Sequence, residues 1–472
     1  MSDRGSATPS DPYSPQRRTA LVLTGTGTAG AYHAGVLRAL HEAGVKIDIV
    51  GAHGVGVIGA LFAAVDGAHR LWDERGIWRS SAVRGWYPWR PTLRLLIWTL
   101  AVSVALVALP LVAMAAGLIV FPIDFVLKMV GLSGGGLTSW YLRIAEAAFS
   151  PTGLPTWLPR LVVLVLGAAG LAAAITAYWE SLSGRRRGRF WWRIVQAPLT
   201  AEPAIALCWA TLWELIRGAT QLKEPARIDL ARRYAELLAD NLGQPGFREL
   251  LIVAHDVDAG RDLVFALVHE GRRRDLLRRA RSEDAEARRA AVLDLAGIGR
   301  DHLPDAVAGA LTVPLASSFH AIHFSPDGYW RGERHRLADR PSALGRVVAE
   351  LSDLHVEQIV LVSSAPESPG PHTLAAVRLD GRGRIGEYLR STEAAIVHDV
   401  VAQVRNGEPR IYVIQPEYNP IGPLDFADAF DDRSARRPSL TELMSRGYED
   451  AYRQFIEPVV GASGDRVGQS AL

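Results

Sequence analysis

The chain has 472 residues, 49% of them apolar, with a formal net charge of +2 and a single cysteine, Cys208. That length supports two or three domains with ample core. The near-neutral charge gives no general attraction to nucleic acid, and one cysteine excludes an intrachain disulfide. Residues 1–18, rich in Ser, Pro and Asp and without the basic and apolar regions of a secretory leader, are expected to be a disordered tail. No Cys/His cluster has metal-ligand spacing, and nothing in the pattern calls for a cofactor.

The first strong pattern is a strand over Ala20–Leu23, a glycine-rich turn at Gly25, Gly27 and Gly30, and a helix that follows at helical spacing. Glycines there let backbone N–H groups come close to a ligand, and a helix N-terminus favours an anion. A second unit repeats the shape, with a strand over Ile47–Val50, a sharp turn at Gly51–Gly56 and a helix over Val57–Val65. In serine hydrolases this shape is the nucleophile elbow, Gly-x-Ser-x-Gly.

Gly30-Ala-Tyr-His-Ala-Gly-Val-Leu37 followed by Glu42-Ala-Gly-Val45 resembles the patatin-like phospholipase family, whose opening reads Gly-Gly-Gly-x-Arg-Gly with the elbow about 25 residues on. The resemblance implies a three-layer α/β/α domain and lipid acyl hydrolysis by a serine–aspartate dyad. Laid over the elbow, it aligns Ala52-His53-Gly54-Val55-Gly56 with Gly-Thr-Ser-Val-Gly, so the serine position is Gly54. In the oxyanion loop Gly25, Thr26, Gly27, Thr28, Ala29 and Gly30 keep the turn glycines, but Thr26 replaces a glycine and Ala29 the arginine.

Beyond the elbow helix, Trp72, Trp78, Trp86, Tyr87 and Trp89 lie among arginines, a mixture suited to a membrane–water interface. Leu95–Ile123 carries no charge and is long enough to cross a hydrocarbon layer; a second uncharged run covers Leu161–Trp179. A membrane hairpin over residues 86–189 is expected, with a pair of buried helices as the competing reading. Arg84, Arg90 and Arg94 precede the first run, and Arg185, Arg186, Arg187, Arg189 and Arg193 follow the second. The positive-inside rule then puts both outer ends, and the α/β domain joined to them, in the cytoplasm. Between the runs, Gly131-Leu-Ser-Gly-Gly135 matches Gly-x-Ser-x-Gly, but without a preceding strand Ser133 reads as part of a turn.

Residues 190–228, with the apolar patch Ala204–Trp213, read as an interfacial or linking segment. The α/β domain resumes over residues 229–460, with a short tail over 461–472. Asp229–Leu242 is a helix, and Leu250–Ala254 and Asp262–Val268 form a strand pair. Asp256 and Asp258 suit the turn between them better than a calcium loop. The arginines of Glu270–Arg289 read as a solvated helix face, with anionic headgroups as the alternative.

Pro314 and Phe319 fall in a segment that resembles the family's Ala-x-x-Ala-Ser-x-x-x-Pro-x-x-Phe. The acid of the dyad has two placements. Aligning Asp339-Arg-Pro341 with the family's Asn-x-Pro sends it to Glu333; the alternative is Asp327, in the turn Ser325-Pro-Asp-Gly328. Pro341–Leu354 is then a helix, Gln358–Ser364 and Arg410–Pro416 are strands, and Leu440–Phe455 is a closing helix.

Three functions follow. A degenerate patatin-like protein at the membrane, with lipid as ligand at the glycine loop and elbow and a role in binding or scaffolding, is the leading expectation; a protein partner is compatible with it. A working acyl hydrolase would need another nucleophile, such as Thr24, Thr26, Thr28 or Ser133. Gly25-x-Gly27-x-x-Gly30, with Asp48 about 20 residues on, also satisfies the letter of a dinucleotide fingerprint.

Overall fold

The computed structural model describes residues 13–131, 136–150, 152–182, 197–218, 220, 222–280, 290–326, 330–366, 381–404, 409–427, 431 and 435–461. The chain divides into two compact units, Met1–Pro88 with Leu199–Leu472, and Trp89–Pro198.

The first unit is built on a nine-stranded mixed sheet. Its main path runs β5 (Ala290–Asp294), β4 (Arg261–Leu267), β3 (Glu249–Asp256), β2 (Ile49–Ala52), β1 (Thr19–Thr24), β8 (Gln358–Ser363), β9 (Arg410–Ile414). The run from β3 to β9 is parallel, as is β4 with β5, while β3 and β4 form an antiparallel hairpin. In its turn, Asp256 Oδ1 accepts from the Asp258 and Ala259 amides, so the aspartate serves the backbone. The pair β6 (His320–His323) and β7 (Arg334–Ala338) lies off this path, with β7 antiparallel to the end of β3.

Strands buried on both faces need apolar residues of both parities, and β1 shows why they stay buried. Leu21 and Leu23 enter one core with helix α1 (Ala29–Glu42) and helix α2 (Gly56–Ala64), while Ala20 and Val22 enter the opposite core. Helices Ala343–Asp353 and Gly381–Val404 cover that second face. The result is a largely parallel sheet between helical layers.

Two aromatic expectations change here. Helix Glu202–Arg217 buries Ala204, Ile205, Cys208, Trp209, Leu212 and Trp213 in the first core, so this patch is core and not interface. Trp78, Trp86 and Tyr87 are also buried, with Trp86 and Tyr87 packed on Phe426 at ring distances of 5.7 and 5.8 Å; Trp89 alone of the tryptophans and tyrosines in Trp78–Trp89 is exposed. Their amphipathic rings find apolar neighbours inside the domain.

The second unit contains helices Pro91–Met129, Leu137–Phe149 and Leu154–Leu182. Within them Ala108–Met129 (22 residues) and Trp157–Ile175 (19 residues) are long and apolar enough to cross a membrane. Tyr141 donates to the Ala113 carbonyl at 2.8 Å and packs edge-on against Phe121, which joins the first two helices. Ser133 and the arginines 185–193 lie outside the described residues.

Candidate functional site

β1 and β2 end side by side, Leu23 beside Ala52, and the two glycine turns leave the same edge of the sheet. Parallel α/β sheets place their ligands at this carboxyl edge. The turns differ from open loops in being buried: Gly25 to Gly30 and Ala52 to Gly56 are all closed off from solvent.

Gly54 has φ +57°, the left-handed conformation of a nucleophile elbow. A Cβ built there would overlap the Gly25 carbonyl oxygen and lie 2.9 Å from Asp339 Oδ2. The space of a serine side chain is filled by the neighbouring loop. That contact is fixed by a hydrogen bond, since the Val55 amide donates to the Gly25 carbonyl at 2.9 Å.

Amides that follow the glycine turns are likewise engaged. Thr28 donates its amide to the Pro423 carbonyl at 2.9 Å and its hydroxyl to the Gly422 carbonyl at 2.8 Å. Ala29 and Gly30 donate to Thr26 and Gly27, and Gly56 donates to His53. At Gly27 (φ +59°) a Cβ would overlap the Pro423 carbonyl oxygen. The segment Gly422–Phe426 is thus seated on the glycine loop, and Phe426 is anchored by Trp86 and Tyr87.

Beneath the turns lies a polar chain. A carboxylate only accepts, so the His53 Nδ1–H donates to Asp339 Oδ1 at 3.1 Å; Nε2 shares a hydrogen bond with the Thr24 hydroxyl at 2.6 Å. All three side chains are buried. Asp339 reaches this point because β7 pairs with β3 and its amide donates to the Thr312 carbonyl at 2.9 Å. His33 donates through Nε2 to the Thr24 carbonyl at 2.9 Å, and its Nδ1 is buried without a partner. Burial drives the His33 pKa down to about 4, so this ring is neutral.

Glu393, from the helix Gly381–Val404, completes the cluster. Its carboxyl accepts from the Ser363 hydroxyl at 2.7 Å and stands 3.0 Å from where a Cβ on Gly25 would be. Burial raises its pKa to about 7, against the opposing pull of the Ser363 hydrogen bond. A carboxyl of this same protein therefore lies against the loop that the sequence suggests for an anion.

Similarity to known proteins is confined to part of the chain. No family model matches it. It is 48% identical over 63 residues to Patatin-like phospholipase domain-containing protein 6 of Homo sapiens and of Mus musculus, which is 13% of this chain and 5% of theirs. It is 57% identical over 44 residues to Patatin-like phospholipase domain-containing protein ZK370.4 of Caenorhabditis elegans (9% and 3%), and 50% identical over 48 residues to Lysophospholipase nte1 of Aspergillus fumigatus (10% and 3%). These matches cover a twentieth or less of the relatives' own length. VipD from Legionella pneumophila overlaps 95% of this chain and 67% of its own at 12% identity and a TM-score of 0.29, too slight to inform the fold. The chain carries a short patatin-like phospholipase stretch.

The carboxylate beside the Gly54 turn is that of Asp339, and not that of Glu333. Glu333 begins the β7 side of a hairpin, half a strand pair away, where its carboxylate bonds His335 Nε2 at 3.0 Å. Five extended residues separate it from Asp339, roughly 20 Å along the strand. Asp327 lies outside the described residues. Sequence reading missed Glu393 and the Gly422–Phe426 segment, which carry no motif. Thr24 was among the candidate hydroxyls, and its position at the end of β1, one turn before the glycines, is the signal that ties it to His53.

The described cavities lie elsewhere. One of about 660 Å³, lined by Arg18, Lys46, Asp48, Arg248, Glu249 and Arg272 among others, is at the amino ends of β1, β2 and β3. There Glu249 is buried and paired with both Arg18 and Arg272, an ion-pair network closing the bottom of the sheet.

Proposed function

We propose that this chain is a patatin-like protein that has lost ester hydrolysis and acts at a membrane as a lipid-associated binding or scaffolding protein. The observation that carries the reading is the filled elbow: the Gly25 carbonyl occupies the place of the nucleophile, and the Val55 and Thr28 amides are bonded within the protein. Catalysis of acyl transfer needs a nucleophile and free donors aimed at the oxyanion. Losing the nucleophile alone costs about a millionfold in rate in hydrolases of this logic. The two apolar helices support membrane attachment. The arginine-rich flanks support a cytoplasmic position for the α/β unit.

One observation favours a second reading. Thr24, His53 and Asp339 align as hydroxyl, base and orienting carboxylate, the order of a hydrolytic triad. In this reading Thr24 would be the nucleophile. Its side chain is fully buried, so it would have to be uncovered before it met a substrate.

A fluorophosphonate probe applied to the detergent-purified full chain, followed by peptide mapping, separates the readings. The first expects no label on the native chain and none on Gly54→Ser, because the added side chain meets the Gly25 carbonyl. Label on Thr24 would replace it with the second.

A further inference from the structure

The chain leaves the α/β unit at Pro88 and returns at Leu199, and these two points are tied together. Thr200 donates its amide to the Pro88 carbonyl at 3.2 Å, and Leu199 donates to the Ala316 carbonyl at 2.8 Å. Tyr87 reinforces the junction by donating to the Leu311 carbonyl at 2.8 Å. Ala316, in the segment Val313–Phe319, is therefore bonded to the point where the chain re-enters the α/β unit.

That segment shows a feature its own fold does not explain. Val313, Ala316 and Ser317 are buried, whereas Leu315 is 75% exposed and Phe319 is 39% exposed. Leu315 also has φ +65°, in the left-handed region that a leucine enters at a cost of about 1 kcal/mol or more. Strain at a loop tip that aims an apolar side chain outward burdens the folded state twice. A lipid surface would relieve one of the two by burying the side chain.

The chain reach fits that occupant. Arg94 is the last charged residue before the uncharged run that starts at Leu95. Leu95 is seven residues beyond Pro88, at most about 25 Å of extended chain. Arg79 and Arg84, close before Pro88, are exposed, and the Arg336 guanidinium lies 5.6 Å from the centre of the Phe319 ring. Apolar and aromatic tips beside arginines are the composition that settles at a headgroup boundary.

We infer that Leu315 and Phe319 form a membrane-dipping loop that seats the α/β unit against the bilayer surface. This rests on the membrane reading above and adds a second point of contact, outside the helices.

The sole cysteine, Cys208, is buried, which makes site-directed labelling practicable. Full-length Cys208→Ala protein carrying Leu315→Cys, Val163→Cys or Ile298→Cys would be labelled with an environment-sensitive fluorophore. Each is then reconstituted in phosphatidylcholine–phosphatidylglycerol vesicles containing spin-labelled lipid. Val163 lies in an apolar helix and is 70% exposed; Ile298 is 82% exposed on the α/β unit. The expected result is a blue-shifted emission and about twofold or greater quenching at 315, approaching that at 163, with 298 unquenched. Quenching at 163 but not at 315 overturns the loop proposal while leaving the helices in the membrane, whether 315 emits as in water or as shielded by protein. No quenching at 163 overturns the membrane reading and the loop with it.

Discussion

Leu21 and Leu23 in β1 are fully buried, whereas Leu111, Leu118 and Met129 in the helix Pro91–Met129 are 67%, 78% and 81% exposed. The same residue types are thus buried in one unit and exposed in the other. In the α/β unit they close two cores around a sheet. In the helical unit many of them are exposed, and clustered exposed apolar residues mark interaction or membrane sites. A polar counterpart completes the contrast: the α/β unit buries Thr24, His33, His53, Asp339 and Glu393 under its glycine turns. Ionisable side chains turned inward need hydrogen bonds as a compensating environment, and a bilayer is the one proposed here for the apolar side chains turned outward.

Five substitutions would break or sharpen this contrast. The largest effect is expected from Leu23→Ala, which should lower the stability of the α/β unit by about 2–5 kcal/mol through the cavity it leaves. Leu118→Ala should leave that unit's melting unchanged, and thermal unfolding in detergent measures both. Leu118→Arg comes next: if its side chain faces lipid, insertion of the helix is penalised by about 2.5–3.5 kcal/mol. The readout is the fraction resistant to alkaline extraction; no change would argue for burial against protein or water.

Glu393→Gln follows, on the order of 2–3 kcal/mol and dependent on pH. Because the folded pKa is raised from 4.5 to about 7, the stability linked to this group is present below pH 4.5 and lost as pH rises through 7. His33 has the opposite slope: its folded value is lowered from 6.5 to about 4, so its stability is present above 6.5 and lost as pH falls through 4. The native chain should therefore show partly cancelling slopes, and Glu393→Gln should expose the His33 trend, melting at rising temperature from pH 4 to 6.5. The smallest effect is expected from Thr24→Val, about 1–2 kcal/mol, by leaving His53 Nε2 without its hydrogen-bond partner. Chemical denaturation of the detergent-solubilised chain would measure it.

The strand-turn-helix units were legible because apolar periodicity and positive-φ glycines are local properties. The strand expected over Ala20–Leu23 is Thr19–Thr24, and the helix expected over Val57–Val65 is Gly56–Ala64. The acid was not legible for a stated reason. Aligning Asp339 with the family's asparagine moved the carboxylate six residues upstream, and only the β3–β7 pairing reveals that Asp339 itself arrives at the elbow. Glu393 and Pro423 come from hundreds of residues away in sequence, so their seating on the glycine loop depends on tertiary packing that no local pattern encodes. The tryptophan-rich stretches show the same limit: composition alone does not separate an aromatic at a membrane boundary from one in a core.

The central claim is that the elbow is closed to catalysis. It is tested most directly by fatty-acid release from phospholipid and lysophospholipid in vesicles holding the full-length chain, compared with Thr24→Val and His53→Ala. The account predicts release at the protein-free background for all three. Steady release by the native chain, abolished by either substitution, would contradict it and make Thr24, His53 and Asp339 a working triad.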